Sequence, residues 1–480
     1  MREFCDRALD TAKAQGASYA DVRIVSRETQ SIMVENWKVQ ALTHEESFGF
    51  GVRVLANGAW GFAASATLTG PEIDRTAALA VQLAKAAARV HRTPVSLGES
   101  YRMVGSHKTP IRIDPFRVSL NDKITLLLNA SETMQRVQGV VLAQASVESV
   151  KEEKTFASSE GSFIEQEIVE TGAALEATAV GENEVQNRSY PNSVGRHQAT
   201  EGWEFVERWD LGGNAQRVAE EAVALLTARP CPPGVTTVIL DGSQMGLQIH
   251  ESCGHAVELD RVLGTEAAFA GTSFLTTDKL SGFRYGSEAV NLTADATIPG
   301  GLGTFGYDDE GVPAQRWPLV ERGMFTGYLM SRETAQSLGL RSNGAMRADG
   351  WSRLPLIRMT NVSLEPGEWT LEGLIADTDD GIYMETNRSW SIDDKRLNFQ
   401  FGTEVAYEIK HGRKGDLLKN ATYTGMTPRF WGSCDAVCNR DHWVVWGTPN
   451  CGKGQPEQVA HTGHGASPAR FRDIQVGVMR

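Results

Sequence analysis

The sequence is poor in cysteine and lacks any long apolar run. Six cysteines in 480 residues are too few for a disulfide scaffold, and they fit reduced thiols, some of them free to bind a metal. No apolar stretch approaches the roughly 20 residues that a membrane helix needs. Residues 1–9 mix charged and apolar side chains, so they predict an amphipathic helix rather than a signal peptide. We therefore expect a cytoplasmic protein that spans no membrane.

Positive charge is also scarce, because 47 Lys and Arg residues face 60 Asp and Glu residues and the net charge is -13. Binding to nucleic-acid phosphates needs clustered Lys and Arg, so a direct nucleic-acid partner is disfavoured, although a local basic patch stays compatible with this charge. A hydrophobic content of 41% and a charged content of 22% are ordinary for a soluble globular protein. The composition leaves room for an enzyme.

The first half of the chain alternates helical and strand patterns, which predicts an α+β domain. A further helix is expected after Asp210, a plausible N-cap, with apolar residues at helical spacing up to Leu226. The other helices are predicted over residues 4–14, 71–90 and 120–137. The strands are predicted over residues 19–25, 31–35, 48–55, 60–64, 140–150, 153–158 and 162–180, the last long enough to be bent or broken.

A proline-rich stretch over residues 229–234 cannot continue a helix and is the best boundary in the chain. Because 480 residues exceed one ordinary core, we expect two domains, residues 1–230 and 231–480. The second begins with a β-branched strand at 235–240 and, beyond residue 267, is punctuated by glycine with few helical windows. The overall prediction is a mixed α/β N-terminal domain followed by a mainly antiparallel β domain.

The second domain carries the motif His250-Glu251-Ser252-Cys253-Gly254-His255. Imidazoles are good zinc ligands, and a glutamate beside the first is placed to move a proton on a water molecule at the metal. The histidines are five positions apart, so on an ideal α-helix they would face about 140° apart. A wider turn of the π type brings the two histidines to one side of the helix. Gly254 lowers the energetic cost of this deviation, because glycine is conformationally permissive. Two unrelated, solvent-facing histidines are the alternative.

A catalytic zinc ion is bound by three protein ligands and keeps one open position, so a third ligand must come from outside the motif. Cys451 is the strongest candidate, because glycines 452 and 454 predict a turn whose backbone can approach a site closely. A small residue buried in that turn is the alternative. His461 and His464 are a second source of ligands, although a position lining a loop is the simpler interpretation.

The remaining thiols and histidines are weaker candidates. Cys253 should point away from the side that the two motif histidines share. Cys434 and Cys438 have a CxxxC spacing without a matching His or Cys pair, which favours a structural role. His44 has no second histidine nearby. Polar residues between glycines could contact a substrate or form an exposed hairpin turn: Tyr307, Asp308, Asp309, Glu310 and Arg316.

Four separated motifs, in this order, resemble the TldD/PmbA family of metallopeptidases, also known as modulators of DNA gyrase, and the resemblance covers essentially the whole chain. They are residues 250–255, 306–315, 358–361 and 451–455. The resemblance implies that His250, His255 and Cys451 bind one zinc ion per protomer and that Glu251 is the catalytic carboxylate. It also implies an α+β N-terminal domain, a largely β C-terminal domain and a dimer around an internal cavity.

Members similar to PmbA, also called TldE, lack the histidine motif and accompany TldD as a non-catalytic partner. This chain keeps every element, so it resembles TldD, whose substrates are unfolded or small peptides, including precursors of modified peptides. We expect zinc-dependent hydrolysis of peptide bonds, in a homodimer or in a heterodimer with a motif-lacking paralogue. Two other functions stay open: a non-catalytic interaction subunit, or a zinc amidohydrolase that does not cleave peptides.

Overall fold

The computed structural model describes residues 1–90, 93–193 and 195–478. Its N-terminal half is built on an eight-stranded sheet with helices packed against it. The strands are β1 (Tyr19–Glu35), β2 (Lys38–Ala56), β3 (Ala59–Ser65), β4 (Val104–Lys108), β5 (Val140–Ser158), β6 (Phe163–Val180), β7 (Val185–Tyr190) and β8 (His197–Ala199). The helices are α1 (Arg2–Ala14), α2 (Gly70–Ala87), α3 (Leu120–Gln135), α4 (Glu204–Trp209) and α5 (Leu211–Thr227).

The strand order of this first sheet is β3-β2-β1-β5-β6-β4, with β7 and β8 also paired to β6. Helices α1 and α2 bury their apolar faces against β1, β2 and β3, whereas α3 and α5 pack against the other end of β1 and against β5 and β6. Asp210 caps α5 as expected, because its carboxylate accepts a hydrogen bond from the backbone N–H of Gly213 at 3.0 Å.

Several strand predictions in this sheet are wrong in their bounds, and the strand predicted over residues 48–55 is only the last part of β2. The two strands expected at 19–25 and 31–35 form one strand, β1, because β2 and β5 pair with it on both sides straight through the polar residues 26–30. The strands expected at 140–150 and 153–158 likewise form the single strand β5. The strand expected to bend or break, β6, pairs with β5 without a register shift from Phe163 to Thr178.

The C-terminal half is richer in strands. They are β9 (Arg229–Pro230), β10 (Gly234–Leu240), β11 (Leu292–Asp295), β12 (Arg316–Glu321), β13 (Met324–Phe325), β14 (Met346–Arg347), β15 (Leu356–Ile357), β16 (Val362–Leu364), β17 (Asp380–Ile392), β18 (Asn398–Lys410), β19 (Arg413–Lys419), β20 (Ala421–Met426), β21 (Cys434–Val437), β22 (Val444–Lys453), β23 (Gln458–Ala466) and β24 (Ala469–Val478). The helices are α6 (Gly242–Ile249), α7 (Leu259–Val262), α8 (Arg332–Ser337), α9 (Leu371–Ala376) and α10 (Thr427–Gly432).

The main sheet of this half has the order β17-β10-β24-β20-β18-β19-β9. The pairs β10–β17 and β9–β19 are parallel, and the other pairs along this order are antiparallel. The predicted α+β class and the β-rich second half are therefore confirmed. The domain boundary at residue 230 stays a prediction. The short strand β9, Arg229–Pro230, lies before this boundary but pairs with the main sheet of the second half.

Two acidic residues, Asp309 and Glu310, join the two halves, and their neighbour Asp308 is held within its own half. Asp309 forms ion pairs with Lys154 of β5 at 2.9 Å and with Arg23 of β1 at 3.8 Å, and Glu310 pairs with Arg53 of β2 at 3.3 Å. The carboxylate of Asp308 accepts hydrogen bonds from three backbone N–H groups of its own half. Asp308, Asp309 and Glu310 are all buried, so the interpretation of these acidic residues as an exposed hairpin turn is wrong.

No helix within residues 1–90, 93–193 and 195–478 is long and apolar enough to cross a membrane.

Candidate metal centre

The helix that carries the histidine motif widens where the spacing predicts. Helix α6 ends at Ile249, residues 250–254 form a π turn, and a short 3-10 turn follows over 255–257. The imidazole rings of His250 and His255 consequently lie on one side, with their centroids 4.9 Å apart. A Cβ atom on Gly254 would lie 2.0 Å from Sδ of Met359, so this turn can be occupied only by glycine without a shift of the neighbouring chain. The predicted widening is confirmed.

Cys451 meets the two histidines from β22, nearly two hundred positions downstream. Its Sγ lies 3.6 Å from Nε2 of His255, and the ligand atoms of the three side chains lie within 4.8 Å of one another. Tetrahedral zinc, with bonds of about 2.0 Å to nitrogen and 2.3 Å to sulfur, needs a nitrogen–sulfur separation of about 3.5 Å. The donor set and its spacing therefore fit zinc, and all three residues are buried.

The local structure around Cys451 differs from the prediction. Cys451 is not in a turn but in a strand, paired with Ala460 of β23 next to a register shift between Thr448 and Cys451. The turn follows three residues later, at 454–457. Arg358, itself buried, donates hydrogen bonds to the backbone oxygens of Cys451 and Gln458, so the guanidinium ties the two strands together.

The electrostatics single out this thiol among the six cysteines, all of which the structure describes as free. Burial raises the pKa of the Cys451 thiol, but the nearby positive charge of Arg358 and the contact with His255 outweigh burial and leave the pKa below its ordinary value. Burial raises the pKa of Cys253, Cys434 and Cys438 to about 12. Cys451 is thus the best metal-binding thiolate of the set.

His255 is oriented by a charged partner. Its Nδ1 lies 3.0 Å from Oε2 of Glu258, and because a carboxylate only accepts, the proton of the neutral ring is on Nδ1. The other nitrogen, Nε2, is then free for a metal and is the atom that faces Cys451. Glu258 is in turn 3.4 Å from Nζ of Lys453, which also lies 2.7 Å from Asp260. Such a carboxylate behind a histidine ligand is typical of zinc sites.

Burial lowers the pKa of both motif histidines, that of His255 well below its ordinary value. Neutral imidazoles are the form that binds metal. His250 has a different neighbour: its Nδ1 lies 2.8 Å from Nε2 of His464. His464 was expected to line a loop, and this is wrong, because residues 461 and 464 both lie on strand β23.

His461 and His464 lie on opposite faces of β23, since they are an odd number of positions, three, apart on the strand. His461 contacts Glu170 of β6 and lines a cavity of about 180 Å³ between the two halves. His461 therefore lies outside the cluster formed by His250, His255 and Cys451. Within the described residues, that ligand cluster also leaves out Cys253, Cys434, Cys438 and His44. Cys253 and Cys434 belong to the large apolar core of the second half, in agreement with the structural role expected for Cys434.

Glu251 lies beside the cluster and is held by an ion pair. Its Oε2 accepts a hydrogen bond from Nη1 of Arg396 at 2.6 Å, whereas its Oε1 accepts none from the part of the chain that the structure describes. Arg396 lies in the turn between β17 and β18. One carboxylate oxygen is thus anchored and the other is available to a water molecule.

Four residues of this centre went unassigned in the sequence analysis: Glu258, Lys453, Arg358 and Arg396. Glu258 had a local signal, because it follows His255 by three residues. Lys453 and Arg358 are part of two of the four motifs, yet their spacing does not show what they contact. Arg396 lies 145 positions from its partner and carries no sequence signal at all.

Three family models match consecutive parts of the chain. They are described as PmbA/TldA metallopeptidase domain 1, central domain and C-terminal domain, and they match residues 20–84, 113–229 and 233–477. The sequence is 32% identical to a metalloprotease of Methanocaldococcus jannaschii, over 87% of this chain and 89% of the relative. It is 33% identical to a metalloprotease of Methanothermobacter thermautotrophicus, over 96% and 95% of the two chains.

A more distant relative, from Saccharolobus solfataricus, is named a zinc metalloprotease TldD homolog and is 23% identical over 98% of both chains. Two solved structures share the fold. A Thermotoga maritima protein whose name refers to modulation of DNA gyrase has a TM-score of 0.78 at 20% identity, over 99% of both chains. TldE from Thermococcus kodakarensis has a TM-score of 0.74 at 16% identity, over 98% of this chain and 99% of that one.

Proposed function

Because the chain belongs to the PmbA/TldA metallopeptidase family, we propose that it is a zinc-dependent peptidase of the TldD type, with His250, His255 and Cys451 as ligands of one zinc ion per protomer. The observation that carries this proposal is the convergence of two neutral imidazoles and one acidified thiol within 4.8 Å, beside a glutamate. The relatives named metalloproteases support the peptidase, and the one named a zinc metalloprotease supports the metal.

Zinc at this centre would supply a Lewis acid that activates a water molecule and polarises the scissile carbonyl. Glu251 is the general base and acid: its free Oε1 takes a proton from the attacking water and passes it to the leaving amine. Arg396 keeps the carboxylate in place by holding Oε2. The apolar surroundings of the motif exclude bulk water and strengthen these interactions.

The burial of the centre supports unfolded or small peptides as substrates. The relative exposures of His250, Glu251, His255 and Cys451 are 4%, 6%, 6% and 3%. A compact folded protein cannot bring its backbone to such a centre, so we propose that substrates reach it as extended segments. A strand-like approach, with main-chain hydrogen bonds to the protein, would give affinity with little sequence preference.

The proposal includes a cytoplasmic protein that works as a homodimer or as a heterodimer with a motif-lacking paralogue. The likeness to TldE in fold and the resemblance to the family support the dimer. The net charge of -13 supports the absence of a direct nucleic-acid partner.

The test compares wild type with Glu251→Gln on an unstructured peptide, after the zinc content of each has been measured. We expect about one zinc per protomer in both proteins and a loss of cleavage of roughly 10²-fold or more in the variant. One polypeptide offered in its disulfide-closed folded form and in its reduced, alkylated form tests the substrate class. Only the unfolded form should be cleaved.

Other outcomes identify the other functions. A wild-type protein that binds no metal would end both hydrolase proposals. Zinc binding without peptide cleavage, alone or with a motif-lacking homologue, would favour an interaction subunit. Hydrolysis of small amides but not of peptides would favour an amidohydrolase, and equal cleavage by wild type and Glu251→Gln would remove Glu251 from the mechanism.

A further inference from the structure

We propose that His464 is a positioning residue that fixes the tautomer of His250, so that the metal-binding atom of His250 is Nε2. This inference rests on the proposed zinc centre and adds to it a residue that does not itself bind the metal. His464 lies on β23 and is fully buried. Its ring centroid lies 4.8 Å from that of His250, with the two rings nearly perpendicular.

A backbone carbonyl determines the protonation of His464. Its Nδ1 lies 3.0 Å from the carbonyl oxygen of Val362, and because a carbonyl only accepts, Nδ1 must carry a proton. Within the described residues, no carboxylate oxygen forms an ion pair within 4.0 Å of either nitrogen of this buried ring, so a charged imidazolium would be buried without a counter-ion. The ring is therefore neutral, and Nε2 is left with a lone pair.

The lone pair on His464 in turn determines His250. Nε2 of His464 lies 2.8 Å from Nδ1 of His250, so Nδ1 of His250 must be the donor. A neutral His250 protonated on Nδ1 has its free lone pair on Nε2. The hydroxyl of Thr462 lies 3.3 Å from Nε2 of His464 but does not determine whether that nitrogen carries a proton. The hydroxyl can rotate, and it also lies 3.5 Å from the carbonyl oxygen of Thr448.

The two histidine ligands are thus oriented by different means. His255 is backed by the carboxylate of Glu258, and His250 by a neutral imidazole that ends on a backbone carbonyl. Both arrangements protonate Nδ1 and free Nε2. The neutral imidazole of His464 orients His250 without adding a negative charge next to it. It therefore does not weaken the Lewis acidity of a metal that already has a thiolate ligand.

The test measures zinc affinity by competition with a chelator in three variants. His464→Leu removes the acceptor, and we expect it to weaken zinc binding about 10- to 100-fold. His464→Gln can present its amide oxygen where Nε2 lies, and it should stay within a few-fold of wild type. His461→Leu is the matched control, because His461 lies on the same strand but on the other face, and it should leave zinc affinity unchanged.

A wild-type measurement makes the test independent of how the variants fold. A crystal structure of the zinc-loaded protein should show Nε2 of His250 at bonding distance from the metal, with Nδ1 still directed at His464. Coordination through Nδ1 would overturn the inference. So would a His464→Leu protein that binds zinc like wild type, or equal losses in the Leu and Gln variants, which would indicate ring packing alone. None of these results would remove the zinc centre, whereas a wild type without zinc would.

Discussion

Arg396 anchors Glu251 across 145 positions of sequence, with Nη1 of Arg396 2.6 Å from Oε2 of the glutamate. The two side chains are 16% and 8% exposed, so the pair is shielded from solvent. Arg396 has a left-handed backbone, with φ at 62°, in the turn between β17 and β18. A turn of the main sheet therefore sets the position of the carboxylate that the proposed mechanism uses.

Replacing Arg396 by Met should lower kcat and leave zinc content unchanged. The methionine keeps most of the apolar stem but releases Oε2, so Glu251 can adopt positions in which it does not reach the attacking water. A misplaced catalytic group costs roughly 10²-fold. The measurement is kcat and KM on an unstructured peptide, together with metal analysis. Lys395→Met, an exposed change in the same turn, is the control, and an unchanged kcat in Arg396→Met would show that Glu251 needs no anchor.

Gly254→Ala should weaken zinc binding and lower the free energy of unfolding. Its Cβ would lie 2.0 Å from Sδ of Met359, so either the π turn or the methionine must move, and overpacking of this kind costs about 1–3 kcal/mol. Movement of the turn displaces His255. Denaturant unfolding and chelator competition measure the two effects.

Gly282→Ala is the matched control for that variant, because a Cβ there meets nothing within 4 Å. A second variant, Gly254→Ala with Met359→Ala, tests the cause. If the clash is with Met359, the two changes should be less harmful together than the sum of their separate effects. Strict additivity would assign the damage to the backbone of the π turn instead.

The widened turn was predictable because its cause is local: two candidate ligands five positions apart cannot lie on one side of a regular helix. The convergence of Cys451 on the histidines could be proposed from the motifs, but its strand could not. Glycines at 452 and 454 resemble turn residues, and only the pairing with β23 makes Cys451 part of a strand.

The continuity of β1 was missed for a related reason. Residues 26–30 are polar and interrupt the apolar pattern, but β2 and β5 satisfy their backbone on both sides. Contacts between distant positions, such as those of Arg396 with Glu251 and of Lys453 with Glu258, depend on the tertiary fold. No local pattern encodes them.

Lys453→Met should destabilise the protein and weaken its zinc binding. Lys453 is buried and is the cationic partner of Glu258 and Asp260, so its removal leaves buried carboxylates without a counter-charge, which costs about 3–5 kcal/mol. Without the contact to Lys453, Glu258 is less firmly held beside Nδ1 of His255, so the ring of His255 is less firmly oriented. Unfolding by denaturant and zinc competition report the two consequences.

The control for this change is Lys410→Met, which breaks a surface pair with Asp380 in which both side chains are 55% exposed. Exposed pairs contribute little to stability, so Lys410→Met should be close to wild type in stability and equal to it in zinc affinity. Similar losses in the two variants would contradict a special role for Lys453.

The stability of the metal-free protein should fall as pH drops from about 6.5 towards 3, in part because of His197. This ring is buried against Phe205, Trp209 and Trp446, and its Nδ1 accepts a hydrogen bond from the backbone N–H of Gly447 at 3.2 Å. Burial, helped by the charge of Arg208, lowers its pKa to about 3. An unfolded histidine takes up its proton near pH 6.5, so between these values the unfolded state binds more protons.

The contribution of neutral His197 to the free energy of unfolding is therefore fully present above pH 6.5. It is lost on acidification, by at most about 1.4 kcal/mol per pH unit. His197→Asn keeps an acceptor for Gly447 but does not titrate. The difference in unfolding free energy between wild type and this variant should shrink from pH 7.5 to pH 4.5, measured by denaturant unfolding with a chelator present. Parallel curves for wild type and His197→Asn would show that His197 takes up its proton in the folded protein as readily as in the unfolded chain.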